Sequence, residues 1–315
     1  MRMGTYPTPR RIALAGLISS GLVSAPMLAG LAGSAAFYLR PLATLRALSR
    51  VGLRLSGAAE RKAKVDGLRV RYFEASPDPS PPVGEAIVLL HGLGDSAETW
   101  ARMMPALARG RRVLAPDLAG FGRTPAPREG MRLSVLVRYL AGFLDSLGVR
   151  RAILVGNSLG GAVAIRYAAE NPGRVERLFL LDSAGLLERV LPELEPKTRE
   201  EARELARISF GPEARMPNFF LDDLVRWARN PAHRAYLRSE EPTDVRGDLG
   251  RIQAPTTVVW GEQDRLVPPE HGRVLRDGIP GSELIVLPGV AHVPQLQVPE
   301  EVLRIMAERL PPAGD

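Results

Sequence analysis

From residue 65 onward, apolar runs of four to six residues alternate with longer stretches in which apolar positions recur at helical spacing. Strand-length runs separated by amphipathic helices are the pattern of a mainly parallel sheet covered on both faces. The runs predict strands at Ala86–Leu90, Arg112–Ala115, Ala152–Val155, Arg177–Leu181, Thr256–Trp260 and Glu283–Leu287. Helices are expected near 96–108, 132–147, 159–170, 267–277 and 299–310. Ahead of them Lys64–Glu74 reads as a hairpin with Asp66-Gly67 at its turn. The tract from Ser76 to Pro82 holds too many prolines for a strand and must be a loop. About 70 residues between Leu181 and Thr256 have helical composition and carry Phe210, Phe219, Phe220, Trp227 and Tyr236. That is too long for an ordinary connection and predicts an inserted helical cap over the sheet.

The first 64 residues follow a different rule. Ile12 to Leu39 is a run of 28 residues without a charge, bracketed by Arg10-Arg11 and Arg40, and about 20 residues suffice to cross a bilayer's hydrocarbon core. A membrane anchor is expected. The competing reading is a cleaved signal peptide with small residues at Ser34-Ala35-Ala36, but the run exceeds the usual apolar region of such peptides. Beyond it, Arg46, Arg50 and Arg54 repeat every four residues, while Leu42, Leu45, Leu48 and Leu55 fall largely on another helix face. A basic amphipathic helix on an anionic membrane surface is the expectation, with a buried helix bearing a solvated arginine stripe as the bland alternative. Three basic residues precede the run and seven follow within 25, which favours a cytoplasmic catalytic domain over a periplasmic or secreted one. The expected organisation is an anchor and basic segment over 1–64, a core over 65–184 and 253–315, and a cap over 185–252.

Composition narrows the chemistry. The chain has 315 residues, 45% hydrophobic and 24% charged, close to the globular average. With no cysteine, disulfides, thiolate metal sites and a cysteine nucleophile are excluded. The net charge of +7 invites a nucleic-acid partner, but residues 1–64 alone carry ten Arg/Lys against one acid, Glu60. The remainder is weakly acidic, so no basic groove and no nucleic acid are expected.

The strand at 152–155 runs into Gly156-Asn157-Ser158-Leu159-Gly160-Gly161 and then a helical stretch. In a chain with 31 glycines the bare G-x-S-x-G pattern is weak, and its placement between strand and helix is what gives it meaning. A serine hydroxyl needs a base, and the base needs an orienting group. Of four histidines, His91 ends a strand, His233 lies in the expected cap, and His271 sits among charged residues of a helix. His292, in the loop after the last strand, lies at the same sheet edge as Ser158 and is the best base. Asp264 follows the penultimate strand and gives the chain order Ser, Asp, His. Glu262 and Asp182 are the alternatives. The backbone amides of Leu159 and Leu93 are the expected oxyanion donors. His91 reads as structural.

His91-Gly92, the Asp117-Leu118-Ala119-Gly120-Phe121-Gly122 segment, the Ser158 elbow, Gly261-Glu262-Gln263-Asp264 and Ala291-His292 together resemble the α/β-hydrolase superfamily over about residues 65–312. The resemblance implies an α/β-hydrolase fold with a mostly parallel sheet, a triad of Ser158, Asp264 and His292, and no cofactor or metal. An anchored N-terminus joined to a capped serine hydrolase looks like the membrane-anchored monoacylglycerol lipases, implying a small lipophilic ester as substrate. The elbow also looks like that of the meta-cleavage C–C hydrolases, although Val293 stands where some of those carry tryptophan after the histidine. Aspartate-nucleophile dehalogenases and epoxide hydrolases are disfavoured by Ser158. Oligomeric state is not read from the sequence.

Overall fold

The computed structural model describes residues 35–77, 84–186 and 191–311. Most of the expected anchor, residues 12–34, and most of the proline-rich tract, residues 78–82, lie outside the described residues. Eight strands form one sheet: β1 (Ala59–Val65), β2 (Leu68–Ala75), β3 (Glu85–Leu90), β4 (Val113–Pro116), β5 (Arg151–Asn157), β6 (Val175–Leu181), β7 (Thr256–Gly261) and β8 (Glu283–Leu287). Their order is β1-β2-β4-β3-β5-β6-β7-β8. β1 and β2 are antiparallel to their neighbours, and the pairings from β4 to β8 are parallel. The helices used below are α1 (Pro41–Leu55), α2 (Leu133–Ser146), α3 (Leu159–Glu170), α4 (Arg199–Phe210), α5 (Asn218–Trp227), α6 (Pro231–Leu237), α7 (Glu270–Gly278) and α8 (Pro299–Ala307).

The central strands read as unbroken apolar runs because both of their faces are buried. In β3, Val88 and Leu90 pack with α2 and α3, while Ile87 and Leu89 point to the opposite layer with Trp100 and the Val302 and Ile305 of α8. In β5, Leu154 and Ile153 divide in the same way. The hairpin turns at Asp66-Gly67 as expected, but it begins at Ala59 rather than Lys64. The stretch expected as one helix over 96–108 is instead a 3₁₀ turn, Ala97–Trp100, and a short helix, Met104–Leu107. Asp117 accepts from Ala97 N at 2.8 Å and Glu98 turns inward to Arg71, which fixes this segment from outside itself.

α1 departs from the expected basic membrane helix, because its arginines face the protein. Arg50 pairs with Glu98 at 2.9 Å, Arg54 with Glu60 at 2.5 Å, and Arg46 with Asp95 at 3.4 Å. Glu98 belongs to a buried network in which Arg71 of β2, fully inaccessible, also binds Glu60 and Asp117. Burial alone would push the Glu98 carboxyl up, but hydrogen bonds and charge from Arg71, with Arg50, hold it down at about 2. At the other end of α1, Asp223 of α5 accepts from Leu42 N at 3.0 Å and from Arg40 Nε at 3.2 Å. Leu53 drops into the layer that holds Trp100 and Met104. The opposite side is left to solvent: Leu48 and Leu55 are 61% and 85% exposed, and Leu45 and Val51 of the same helix are exposed as well. Among the described residues no helix is long and apolar enough to cross a membrane.

Candidate active site

β5 delivers its last residue, Asn157, into a sharp turn, and α3 starts one residue beyond Ser158. Ser158 sits at φ 51°, ψ −118°, a conformation that costs a non-glycine residue on the order of 1–3 kcal/mol and is retained where surroundings enforce it. They do so here through backbone bonds. Ser158 N donates to Leu181 O at 3.1 Å, and Ser158 O accepts from Gly161 N at 2.9 Å and Ala184 N at 3.0 Å. The turn fits only because Gly160 lacks a side chain: a Cβ there would lie 2.2 Å from Leu90 O.

His292 and Asp264 meet beside this elbow. His292 Nδ1 lies 2.7 Å from Asp264 Oδ2. Since an ionised carboxylate only accepts, the imidazole proton belongs on Nδ1, leaving Nε2 as the basic nitrogen. Asp264 is itself fixed, its Oδ1 accepting from Leu266 N and Val267 N at 2.9 Å each. Both side chains are almost wholly buried. His292 N donates to Ser209 O at 3.1 Å, which ties the loop to the end of α4.

The three acids weighed from sequence now separate. Asp264 touches His292. Glu262 is exposed and accepts from Gly289 N at 3.0 Å. Asp182, at the end of β6, is fully buried with φ 43° and accepts from Gly261 N at 2.8 Å through Oδ1. Its Oδ2 has no N–H or O–H donor among the described residues. Burial, and then the neighbouring Asp264 charge, push the Asp182 carboxyl well above its usual range. Ligand atoms of Asp182, Asp264 and His292 lie within 4.8 Å of one another. With His292 Nδ1 already joined to Asp264, this cluster is an imidazole–carboxylate pair with the Asp182 carboxyl close beside it.

The other histidines are engaged elsewhere. His91 Nε2 accepts from Leu118 N at 2.9 Å, and its Nδ1 lies 2.8 Å from Gly92 O, as a structural residue should. His233 Nε2 lies 2.8 Å from Leu194 O, and the half-buried His271 stands on α7. Two residues that spacing alone did not single out join the serine and histidine loops. Asn157 Nδ2 donates to Leu181 O at 3.0 Å and to His292 O at 3.1 Å, and its Oδ1 accepts from Gln295 Nε2 at 3.0 Å. Asn157 lay inside the elbow motif, but nothing in the sequence pointed to Gln295.

Ser158, His292, Leu93 and Leu159 line one cavity of about 630 Å³. Neither the Leu93 nor the Leu159 amide has a hydrogen-bond partner among the described residues. Leucine is the commonest residue of the walls, with Leu42 and Leu45 from α1, Leu205 from α4 and Leu224 from α5, and Phe210 and Leu296 also in the lining. Residues 87–305 match the alpha/beta hydrolase family. The chain belongs to that family. This hydrolase is 35% identical over 236 residues to the 2-hydroxy-6-oxo-6-phenylhexa-2,4-dienoate hydrolase of Burkholderia cepacia, covering 66% of this chain and 82% of that protein. It is 34% identical over 233 residues to a 2-hydroxy-6-oxononadienedioate/2-hydroxy-6-oxononatrienedioate hydrolase of Comamonas testosteroni, covering 66% and 82%. Among solved structures, a membrane phospholipase A described as a bacterial virulence factor superposes with TM-score 0.75 and 28% identity, over 94% of this chain and 96% of that one.

Proposed function

We propose that this hydrolase cleaves carboxylic esters of lipophilic substrates through an acyl-enzyme, at the surface of a membrane. The observation that carries the reading is the 2.7 Å pair of His292 and Asp264 in the same leucine-lined cavity as Ser158. Ser158 Oγ attacks the ester carbonyl carbon while His292 Nε2 takes its proton, and the buried Asp264 carboxylate stabilises the imidazolium. The carbonyl oxygen becomes an oxyanion held by the Leu93 and Leu159 amides. Collapse breaks the bond to the alcohol, which leaves with the proton from His292. Water, deprotonated by the same nitrogen, then attacks the acyl carbon, releasing the acid and restoring Ser158. These steps need no cofactor or metal. The helices between β6 and β7 act as the cap whose α4 and α5 shape the acyl site.

The membrane part of the proposal has three supports: the uncharged run Ile12–Leu39, the apolar outer side of α1, and the likeness to a membrane phospholipase A. A monoacylglycerol or comparable lipid ester meets both the wall chemistry and this position. The relatives named as dienoate hydrolases favour a second reading, C–C hydrolysis of a vinylogous diketone. Against it, a dienoate carboxylate needs a cationic partner, whereas the lining includes Asp95, Glu98, Glu240 and Glu241 beside Arg46, which already binds Asp95. Ser158→Ala is expected to lower kcat on p-nitrophenyl butyrate by about 10⁶. Undiminished turnover by that variant rejects the mechanism, and preference for a dienoate over every ester, in one preparation, rejects the substrate class.

A further inference from the structure

The loop that carries Leu93 is held from its outer side by groups that do not belong to the sheet. Asp95 N donates to Gly92 O at 3.2 Å, closing a tight turn. Within it Gly94 has φ 71°. The Gly94 carbonyl accepts two hydrogen bonds, one from Trp227 Nε1 at 2.7 Å and one from Arg46 Nη2 at 3.1 Å. Arg46 reaches in from α1 and also touches Asp95 Oδ1 at 3.4 Å. Trp227 ends α5 and packs edge-on against His233, with ring centres 4.5 Å apart. The three groups close tightly over the loop, since a Cβ at Gly94 would lie 2.4 Å from Trp227 Cζ2 and 2.8 Å from His233 Nδ1. On the inner side Gly92 rests against the elbow, 3.4 Å separating its missing Cβ from that of Ser158.

We infer that Arg46 and Trp227 are positioning residues for the oxyanion site, sharing the Gly94 carbonyl as a common anchor and so fixing the backbone beside the Leu93 amide. An oxyanion donor must be held within about 0.5 Å to act, and the sheet supplies no bond to Gly94 O that could do this. The helix that precedes β1 is therefore part of the catalytic unit as well as a surface element. The inference rests on the acyl-transfer reading above for the role of Leu93, while the clamp itself is a matter of loop order that can be read without turnover.

The test uses the full chain in detergent with a water-soluble short-chain p-nitrophenyl ester. Deleting an oxyanion donor costs about 10²–10³ in kcat, and a donor that is loosened but present should cost less, about tenfold. Arg46→Ala and Trp227→Phe are each expected to lower kcat to that extent, Arg46→Ala leaving KM within about twofold. Affinity for an alkylboronic acid, whose adduct with Ser158 is tetrahedral, should fall in step with kcat. Arg46→Lys should recover part of the loss, because an ammonium can also donate to Gly94 O. Arg50→Ala breaks another ion pair of the same helix without touching the loop, and should leave kcat within about twofold. Amide hydrogen exchange of residues 91–96 should accelerate in Arg46→Ala and not in Arg50→Ala. The inference is overturned if Arg46→Ala keeps kcat, if Arg46→Ala and Arg50→Ala lose it equally, or if exchange of the loop is unchanged. If the unaltered chain neither turns over esters nor binds the boronic acid, the acyl-transfer reading has failed, and the exchange comparison alone decides the clamp.

Discussion

Asp182 is the residue at which burial and charge conflict most sharply. Its carboxyl is fully inaccessible and lies beside that of Asp264, which must be ionised to orient His292. Two like charges in so dry a place are unfavourable, so one of the pair keeps its proton. Asp264 receives two backbone N–H bonds and the imidazole, whereas Asp182 receives one. The proton therefore sits on Asp182. Folding raises this group above its usual value of 3.8, so from that pH upward the folded chain holds a proton that the unfolded chain has released. Stability is lost as the pH rises through this window. Asp182→Asn keeps the acceptor for Gly261 N and removes the titration. The variant's melting temperature, measured from pH 4 to 8, should gain on the parent as the pH rises; a difference independent of pH contradicts the assignment.

Among the elements, α1 carries the largest difference between pattern and structure. Periodicity showed that its arginines and leucines occupy different faces, but not which face turns inward. The deciding partners, Asp95, Glu98 and Glu60, come from other segments and cannot be located by helical spacing. The central strands were legible because burial on both sides leaves continuous apolar runs, and the elbow was legible because Gly156, Ser158 and Gly160 must stand at fixed spacing. Gln295 and the Gly94 anchor were not, since each depends on a contact between distant segments. Glu98 links α1 to the sheet through Arg50, but Arg71 of β2 supplies most of what holds its carboxyl down. A shift from 4.5 to about 2 corresponds to about 3 kcal/mol. Because the folded value is the lower one, this contribution is present above pH 4.5 and fades as the pH falls toward 2. Glu98→Gln should cost about that much in urea unfolding at pH 7, with Arg71 still paired to Glu60 and Asp117. A gap of the same size at pH 2.5 and pH 7 would contradict the account.

At the scale of the whole molecule, the apolar outer face of α1 and the cavity mouth are continuous. Leu42 and Leu45 line the cavity, and Leu45, Leu48, Val51 and Leu55 are exposed along the same helix. Because Arg46, Arg50 and Arg54 are engaged by acids, contact with lipid at this face should be apolar and only weakly dependent on salt. Replacing Leu48, Val51 and Leu55 together with Gln should lower turnover of an ester embedded in phosphatidylcholine vesicles by about tenfold relative to a water-soluble ester, the loss of about 1.4 kcal/mol of apolar contact. An unchanged ratio speaks against lipid contact through α1. In the mechanism proposed above, His292 and Asp264 make a single serine, Ser158, nucleophilic. Intact-mass and peptide-level mass spectrometry after exposure to a fluorophosphonate tests it most directly. A single adduct on Ser158, lost in His292→Ala, is the predicted result; a folded chain that takes no adduct, or takes it elsewhere, contradicts the account.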